Sequence, residues 1–153
     1  MAAVAGAFSE LVGEELSKHS SEVIVENGGD NYLLSSRERI VSIYAGDSPL
    51  SGKLGIKIPA AMTPMGICTS SATVGPSISL GKADAVVIAS KSATLADAAA
   101  TSVGNAVKSN QEINHAIELA RSIPGVISAA IIKGERLGVW GKLEICRIDI
   151  NRN

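Results

Sequence analysis

Val23-Ile24-Val25-Glu26-Asn27-Gly28-Gly29-Asp30 is the stretch that decides the fold, because it predicts a strand that ends in a glycine turn. β-Branched residues favour strands, whereas the Asn-Gly-Gly-Asp run breaks a strand and frees backbone amides. Further strands are predicted at 32–34, 40–45 and 54–58, with the polar residues 35–38 as the hairpin turn between the first two. This part of the chain is therefore expected to be antiparallel.

Three helices are predicted from apolar residues that recur at helical spacing. The first is amphipathic and is interpreted as a core helix, with Phe8 and Leu11 on its apolar face and small residues that permit close packing. The second begins near Thr94 and is built almost wholly from Ala, Leu, Val and Thr, so it must be buried. The expected fold class is α+β (mixed α/β), a single domain over 1–153 in which a mostly antiparallel sheet packs against helices. The predicted helices span 2–18, 94–108 and 111–122, and the remaining strands span 85–89, 126–132 and 137–148.

Composition argues against two classes of partner. Lys and Arg total 14 against 15 acidic residues, and no basic cluster is dense enough to neutralise a row of phosphates, so nucleic acid is not an expected partner. No stretch reaches the roughly 18 apolar residues that a membrane span needs, so no membrane partner is expected. Cys68 and Cys146 are too few for a disulfide framework and fit a reducing cytoplasm, which is the expected location.

Two polar segments are candidates for ligand binding. The Asn27 to Asp30 run offers consecutive backbone N–H groups without Cβ obstruction, which suits close approach to a phosphate, although a tight turn alone explains such a sequence. Thr69-Ser70-Ser71 supplies three hydroxyls that suit phosphate oxygens or the polar edge of a heterocycle, and it is expected on a turn. The neighbouring Cys68, among Ile and Met, is expected to be a small core residue rather than a nucleophile.

Asp97 and Thr101 are the candidate metal ligands. They lie four residues apart on the second predicted helix and therefore project from the same face. Mg²⁺ takes only one or two protein carboxylates when a diphosphate and waters supply the rest. The alternative is structural, with Thr94 as the N-cap, Asp97 completing a capping box and Thr101 bonding back to its own turn.

Three segments occur together in one order: the strand and turn of 23–30, Gly66-Ile67-Cys68-Thr69-Ser70-Ser71, and Ala96-Asp97-Ala98-Ala99-Ala100-Thr101. Together they resemble the ApbE superfamily, whose members carry a Gly-Gly-Asp or Gly-Gly-Asn turn after a strand, a Thr-Ser turn and an Ala-Asp-Ala-x-x-Thr helix. The similarity is closest to the uncharacterised ApbE-related branch found in archaea and some bacteria, in which the motifs at 81–85 and 96–105 also recur. It covers nearly the whole chain.

This resemblance implies a transferase that takes FAD with Mg²⁺, attaches FMN to a Thr or Ser of a target protein and releases AMP. Asp97 and Thr101 would hold the metal. The same branch suggests a second function, a relative without transferase activity that binds a flavin nucleotide or another small ligand and serves sulfur assimilation or homocysteine formation. A third alternative is a structural or truncated remnant without catalysis. The cofactor-binding residues implied by the resemblance are Asn27, Gly28, Gly29, Asp30, Thr69, Ser70 and Ser71.

Two departures from the family pattern bear on these alternatives. Classical transferases carry a His-x-x-Asp-Pro element between the Thr-Ser turn and the metal helix, but residues 74–80 contain neither His nor Asp. Ligand binding is therefore favoured over transfer to a protein acceptor. Members of this branch also have a substantial region before the segment that resembles 1–7, so the chain is expected to be the C-terminal portion of the family domain. The uncovered sheet edge and first helix then predict a homo-oligomer.

Overall fold

The computed structural model describes residues 2–75 and 79–148, and within them the chain forms three α-helices and nine β-strands. No helix in this described part is long and apolar enough to cross a membrane. The helices are α1 (Val4–Ser17), α2 (Ala93–Ala106) and α3 (Ile113–Ser122). The strands are β1 (Val23–Asn27), β2 (Asp30–Leu34), β3 (Arg39–Ser42), β4 (Leu54–Ile58), β5 (Met65–Ser70), β6 (Ala85–Ser90), β7 (Val126–Lys133), β8 (Arg136–Gly141) and β9 (Glu144–Arg147).

The strands form two antiparallel sheets. Six of them lie in the order β1-β2-β5-β6-β7-β8, and a smaller sheet has the order β3-β4-β9. The first hairpin closes where Asn27 pairs with Asp30 across Gly28 and Gly29, whose φ values of 64° and 101° are those of a two-residue hairpin turn. The predicted α+β class, with a mostly antiparallel sheet packed against helices, is confirmed.

The six-stranded sheet is covered on both faces, which divides the core into two clusters. On the helix face, Val86 and Ile88 of β6 pack against alanines of α2 and against α3. On the opposite face, Ile67 of β5 and Val87 of β6 pack against the smaller sheet, including Ile56. Burial on both faces explains why β6 is a continuous apolar run rather than an alternating one.

Helix α2 lies unusually close to β5, because no side chain stands between them at Gly66. A Cβ at this position would lie 2.2 Å from the Ala93 Cα and 2.6 Å from its backbone nitrogen. Ala93 is itself fully buried in the first turn of α2. The glycine therefore sets the distance between this strand and the helix that carries the candidate metal ligands.

The predicted hairpin turn at 35–38 is wrong, because β2 and β3 belong to different sheets. The carboxylate of Glu22 holds this polar segment instead. It accepts hydrogen bonds from the Ser35 hydroxyl at 2.7 Å, the Ser36 backbone at 2.8 Å and Arg39 Nη2 at 2.8 Å. The segment therefore carries the chain from the large sheet to the small one rather than reversing it.

The single strand predicted at 137–148 is divided into β8 and β9, which lie in separate sheets. The chain bends at Gly141, where φ is 116° and a Cβ would lie 2.3 Å from the Ile127 carbonyl oxygen. The Ser128 hydroxyl then accepts hydrogen bonds from the backbone of Lys142 and Leu143. This turn delivers β9 to the edge of β4.

Helix α1 packs through its small residues and leaves its large apolar face uncovered, as expected for the first helix. Its small face is buried, at Gly6, Ser9 and Gly13, whereas Phe8 is 60% exposed and Leu11 is 67% exposed. A Cβ at Gly6 would lie 2.4 Å from the Ala93 carbonyl oxygen. Close backbone packing therefore holds the helix, and its large apolar side chains form an outer surface.

This outer surface of α1 predicts self-association, because exposed apolar patches on soluble chains mark contact sites. We expect a species larger than the monomer in sedimentation velocity, and we expect Phe8→Glu to shift the distribution toward the monomer by placing a charge in the contact. Glu14→Gln, on the same helix but at a polar position, serves as the control. A wild-type chain that sediments as a monomer at all concentrations would contradict this expectation.

Candidate functional site

Most of the predicted site residues meet in one cleft of about 350 Å³, a size in the range of small-molecule sites. The β1–β2 turn, the end of β5, helix α2 and the segment at the end of β3 enclose it. Asn27 is the exception, since it is exposed and its amide donates to the Ala5 carbonyl at 3.5 Å. The predicted residues that line the cleft are Gly28, Gly29, Asp30, Thr69, Ser70, Ser71, Asp97 and Thr101.

Fewer backbone N–H groups of the glycine turn are available to a ligand than the sequence predicted. The Gly29 amide donates to the Glu26 carboxylate at 2.8 Å, so it is already engaged. The Gly29 carbonyl accepts the Thr69 amide at 3.1 Å, which ties the turn to the end of β5. A Cβ at Gly28 would meet no atom within 4 Å, so this residue leaves its side of the turn open.

The hydroxyl cluster is divided between a strand and a turn. Thr69 and Ser70 belong to β5, which the sequence did not predict, and only Ser71 lies beyond the strand. Ser71 has a structural task, since its hydroxyl donates to the Asp84 carbonyl at 2.7 Å and accepts from the backbone of Thr73 and Val74. Thr69 and Ser70, half-buried at the cleft, are therefore the hydroxyls better placed for a ligand.

The N-terminus of α2 differs from the predicted capping box. Ser92, not Thr94, is the N-cap, and its hydroxyl accepts from the Leu95 amide at 3.2 Å. Glu10 of α1 adds a second cap, because its carboxylate accepts from the Thr94 amide at 2.8 Å and from the Ser92 hydroxyl at 2.9 Å. Burial opposes the ionisation of Glu10, but these hydrogen bonds outweigh it and hold its pKa below the ordinary value. Asp97 therefore takes no part in capping α2.

Asp30 and Asp97 form a buried pair of carboxylates at the floor of the cleft. Each side chain is only 8% exposed. Asp97 Oδ2 accepts the backbone amide of Gly6 in α1 at 2.9 Å. Asp30 Oδ1, in contrast, is the one fully buried side-chain oxygen or nitrogen in the described residues that has no hydrogen-bond partner. Burial and the negative charge of Asp97 together raise the pKa of Asp30 to about 6.

These two carboxylates suit a hard divalent cation. A buried oxygen without a partner is costly, and a cation between two carboxylates removes both that cost and their mutual repulsion. Among the described residues no group of three or more His, Cys, Asp or Glu side chains forms a metal cage. Two carboxylates and the Thr101 hydroxyl one helical turn away fit Mg²⁺, which keeps open positions for water and phosphate oxygens.

The raised pKa of Asp30 predicts a pH-dependent stability in the absence of cation. The folded state keeps the proton up to about pH 6, whereas an unfolded carboxyl releases it near 3.8. The contribution of Asp30 to stability is therefore largest below pH 3.8 and falls as pH rises toward 6, by about 3 kcal/mol. We expect urea unfolding of Asp30→Asn to lack this component. An unchanged pH profile in that variant would contradict the assignment.

Cys68 is a core residue, as expected. Its side chain is fully buried, and its thiol donates to the Ala93 carbonyl at 3.3 Å. Burial and the nearby Asp30 carboxylate raise the pKa of this thiol far above its ordinary range. A thiolate nucleophile is therefore disfavoured, because only the ionised form attacks.

The cleft also includes residues that the sequence did not single out. One wall is formed by the end of β3 and the segment that follows it, and another by residues just after β5. Of these the sequence offered one signal, an aromatic residue beside a glycine at Tyr44-Ala45-Gly46. The additional lining residues are Asn31, Val41, Ser42, Tyr44, Val74 and Gly75. Pro76, Ser77 and Ile78, in the stretch that replaces the His-x-x-Asp-Pro element, lie outside the described residues.

Comparison with known proteins agrees with the motif pattern. A family model described as "AbpE bacteria" matches residues 1–135. The chain belongs to this ApbE-like family. Its motifs at 23–30, 66–71 and 96–101 all fall inside the matched residues.

Several UPF0280 proteins are similar to this ApbE-like chain. It is 49% identical over 148 residues to one from Methanococcus maripaludis, covering 94% of this chain and 60% of that protein. It is 43% identical over 153 residues to one from Methanosarcina acetivorans, covering 98% and 60%, and 42% identical over 144 residues to one from Methanocella arvoryzae, covering 94% and 58%. The chain thus spans about 60% of the length of the curated relatives it matches.

Proposed function

We propose that this ApbE-like chain binds a phosphorylated small ligand, a flavin nucleotide, through a divalent cation held in the cleft by Asp30, Asp97 and Thr101. The observation that carries the proposal is the buried Asp30 Oδ1, which has no partner beside a second buried carboxylate. Two buried carboxylates without a positive partner are unfavourable. A bound divalent cation supplies that positive charge, and the phosphate ligand completes the coordination of the cation.

Each set of lining residues has a different role in binding. Asp30 and Asp97 supply negative charge, and their burial strengthens their attraction for a cation. In this proposal the hydroxyls of Thr69 and Ser70, which line the same cleft, donate to the phosphate oxygens. Bound Mg²⁺ neutralises charge on a diphosphate and orients it. The open Gly28 surface lets the ligand approach the backbone closely.

Within this proposal the chain acts as a binder rather than a transferase, and the process it serves is sulfur assimilation or homocysteine formation, on the basis of the family resemblance alone. The described cleft offers carboxylates, hydroxyls and apolar groups, but neither histidine lies in it. His19 and His115 are both exposed, and they lie outside the lining. The described lining therefore supplies no imidazole for proton transfer, and its one group with a pKa near neutrality is Asp30, which this proposal assigns to the cation.

Calorimetric titration of the purified chain with FAD, FMN and pyrophosphate tests the proposal. We expect binding in MgCl₂ and its loss in EDTA, because the phosphates reach Asp30 and Asp97 only through the cation. Chromatography of the FAD mixture distinguishes the alternatives. Mg²⁺-dependent AMP release would show the FMN transferase activity, and an absence of binding by all three compounds would contradict the proposal and favour a non-catalytic remnant.

A further inference from the structure

The lining of the cleft has two kinds of chemistry. Two carboxylates and a hydroxyl come from Asp30, Asp97 and Thr101. Apolar and aromatic groups come from Val41 of the small sheet, from Tyr44 in the segment after β3 and from Val74 in the segment after β5. Tyr44 is the one aromatic side chain among the described lining residues. A ligand that contacts both kinds of group combines a phosphate with an apolar or aromatic group.

Tyr44 is exposed although the backbone around it is anchored. Its side chain is 64% exposed, whereas the adjacent Ile43 and Ala45 are 2% and 0% exposed. The Ile43 amide donates to the Leu54 carbonyl, and the Ala45 amide donates to the Ser51 hydroxyl, each at 2.9 Å. The two buried neighbours fix the segment, so the ring is presented at the cleft by a rigid backbone rather than by a loose loop.

The segment that carries Tyr44 lies directly against the segment that carries Val74. Gly46 has a φ of 54°, and a Cβ there would lie 3.1 Å from Thr73 Oγ1 and 3.2 Å from Val74 Cγ2. This contact joins the two segments into one continuous wall. Because the phenol ring stands on that wall without a packing partner that buries it, a planar group entering the cleft has an open aromatic surface to pair with.

We infer that Tyr44 stacks on the planar heteroaromatic ring of the ligand whose phosphates lie beside Asp30 and Asp97. The inference rests on the proposed function and adds two things to it. The first is a ligand class, namely a compound in which a ring is joined to a phosphate. The second is a residue that selects for the ring. Offset stacking of aromatic rings is favourable beyond the apolar area it buries. Tyr44 is in this sense a specificity-determining residue, because pyrophosphate has no ring.

The test compares Tyr44→Ala and Tyr44→Phe with the wild type, using FMN, ADP and pyrophosphate in MgCl₂. We expect Tyr44→Ala to weaken binding of the ring-bearing ligand about tenfold, the usual effect of losing one stacking contact, and to leave pyrophosphate binding unchanged. Tyr44→Phe should keep the affinity, because the ring face remains. Leu80→Ala, which truncates an exposed apolar side chain outside the cleft lining, is the control.

FMN and ADP distinguish the two rings that a dinucleotide could offer. If Tyr44→Ala loses affinity for FMN alone, and bound flavin recovers its fluorescence, the isoalloxazine ring is the stacking partner of Tyr44. If the variant loses affinity for ADP alone, the partner is adenine. Unchanged affinity for both in Tyr44→Ala, with normal wild-type binding, overturns this inference alone. Failure of the wild type to bind pyrophosphate and both nucleotides overturns the proposed function, and the inference with it.

Discussion

Replacing Asp97 with alanine is expected to abolish Mg²⁺-dependent binding of flavin nucleotides by this chain. The substitution removes one of the two buried carboxylates that the described residues contribute to the cleft. Loss of a direct ligand should weaken binding by at least about 100-fold, the upper end of the effect of losing an outer-shell partner of a metal. Calorimetric titration with FAD in MgCl₂ measures the loss.

Two variants separate the loss of the site from the loss of the fold. Asp97→Ala also leaves the Gly6 amide without its 2.9 Å acceptor, whereas Asp97→Asn keeps an oxygen for that amide and removes only the charge. We expect Asp97→Asn without cation to be at least as stable as the wild type, because it removes the repulsion between the two carboxylates, and still to lose cation-dependent binding. Glu38→Gln, an exposed carboxylate outside the cleft, is the control. Wild-type affinity in Asp97→Asn would exclude the proposed role of this charge.

Replacing Gly66 with alanine is expected to be the most damaging single methyl addition at the interface of β5 and α2. The new Cβ would approach backbone atoms of Ala93 to 2.2 and 2.6 Å, so no side-chain rotation can relieve the contact. Overpacking of this kind costs about 3 kcal/mol or more, because the helix itself has to move. Urea unfolding should show a correspondingly lower midpoint, and displacement of α2 should also weaken ligand binding through Asp97 and Thr101.

Gly134→Asn is the control for the Gly66 experiment. Gly134 has a φ of 58°, which asparagine tolerates, and a Cβ there would meet no atom within 4 Å. We expect only a small change in stability. Ala93→Gly combined with Gly66→Ala should not restore the wild-type midpoint, because the two closest atoms belong to the backbone. Restoration in this double variant would show that the Ala93 methyl group, and not the helix backbone, limits the approach.

The fold class could be predicted because local patterns were strong. The β-branched run before Gly28 gave a correct strand and turn, and the alanine-rich segment gave a correct buried helix. β5 was not predicted, because Gly66 interrupts its short apolar run and Thr69 and Ser70 are typical of turns. The close packing of α1 through its small residues and the exposure of its large apolar face were expected, but the partner of the small face, at Ala93 and Asp97 of α2, was not.

The site could be predicted only in its motif residues. Asp30, Thr69, Asp97 and Thr101 were marked by pattern and lie in one cleft, but their roles stay predictions. The pairing of Asp30 with Asp97 could not be derived, because it depends on how β2 packs beside α2. Tyr44 lies in the segment that follows β3 of the smaller sheet, so its place on the cleft wall depends on long-range topology that no local periodicity contains.

The hydrogen bond from the Gly6 amide to Asp97 joins the cleft to the helix whose outer face is exposed. Cation binding and contact between copies of this chain would therefore act on opposite sides of one helix. Thermodynamic reciprocity requires that any effect of protein concentration on ligand affinity be matched by an equal effect of the ligand on association. When the two events are coupled, the apparent affinity for the ligand depends on the protein concentration, so a binding isotherm at one concentration does not define it.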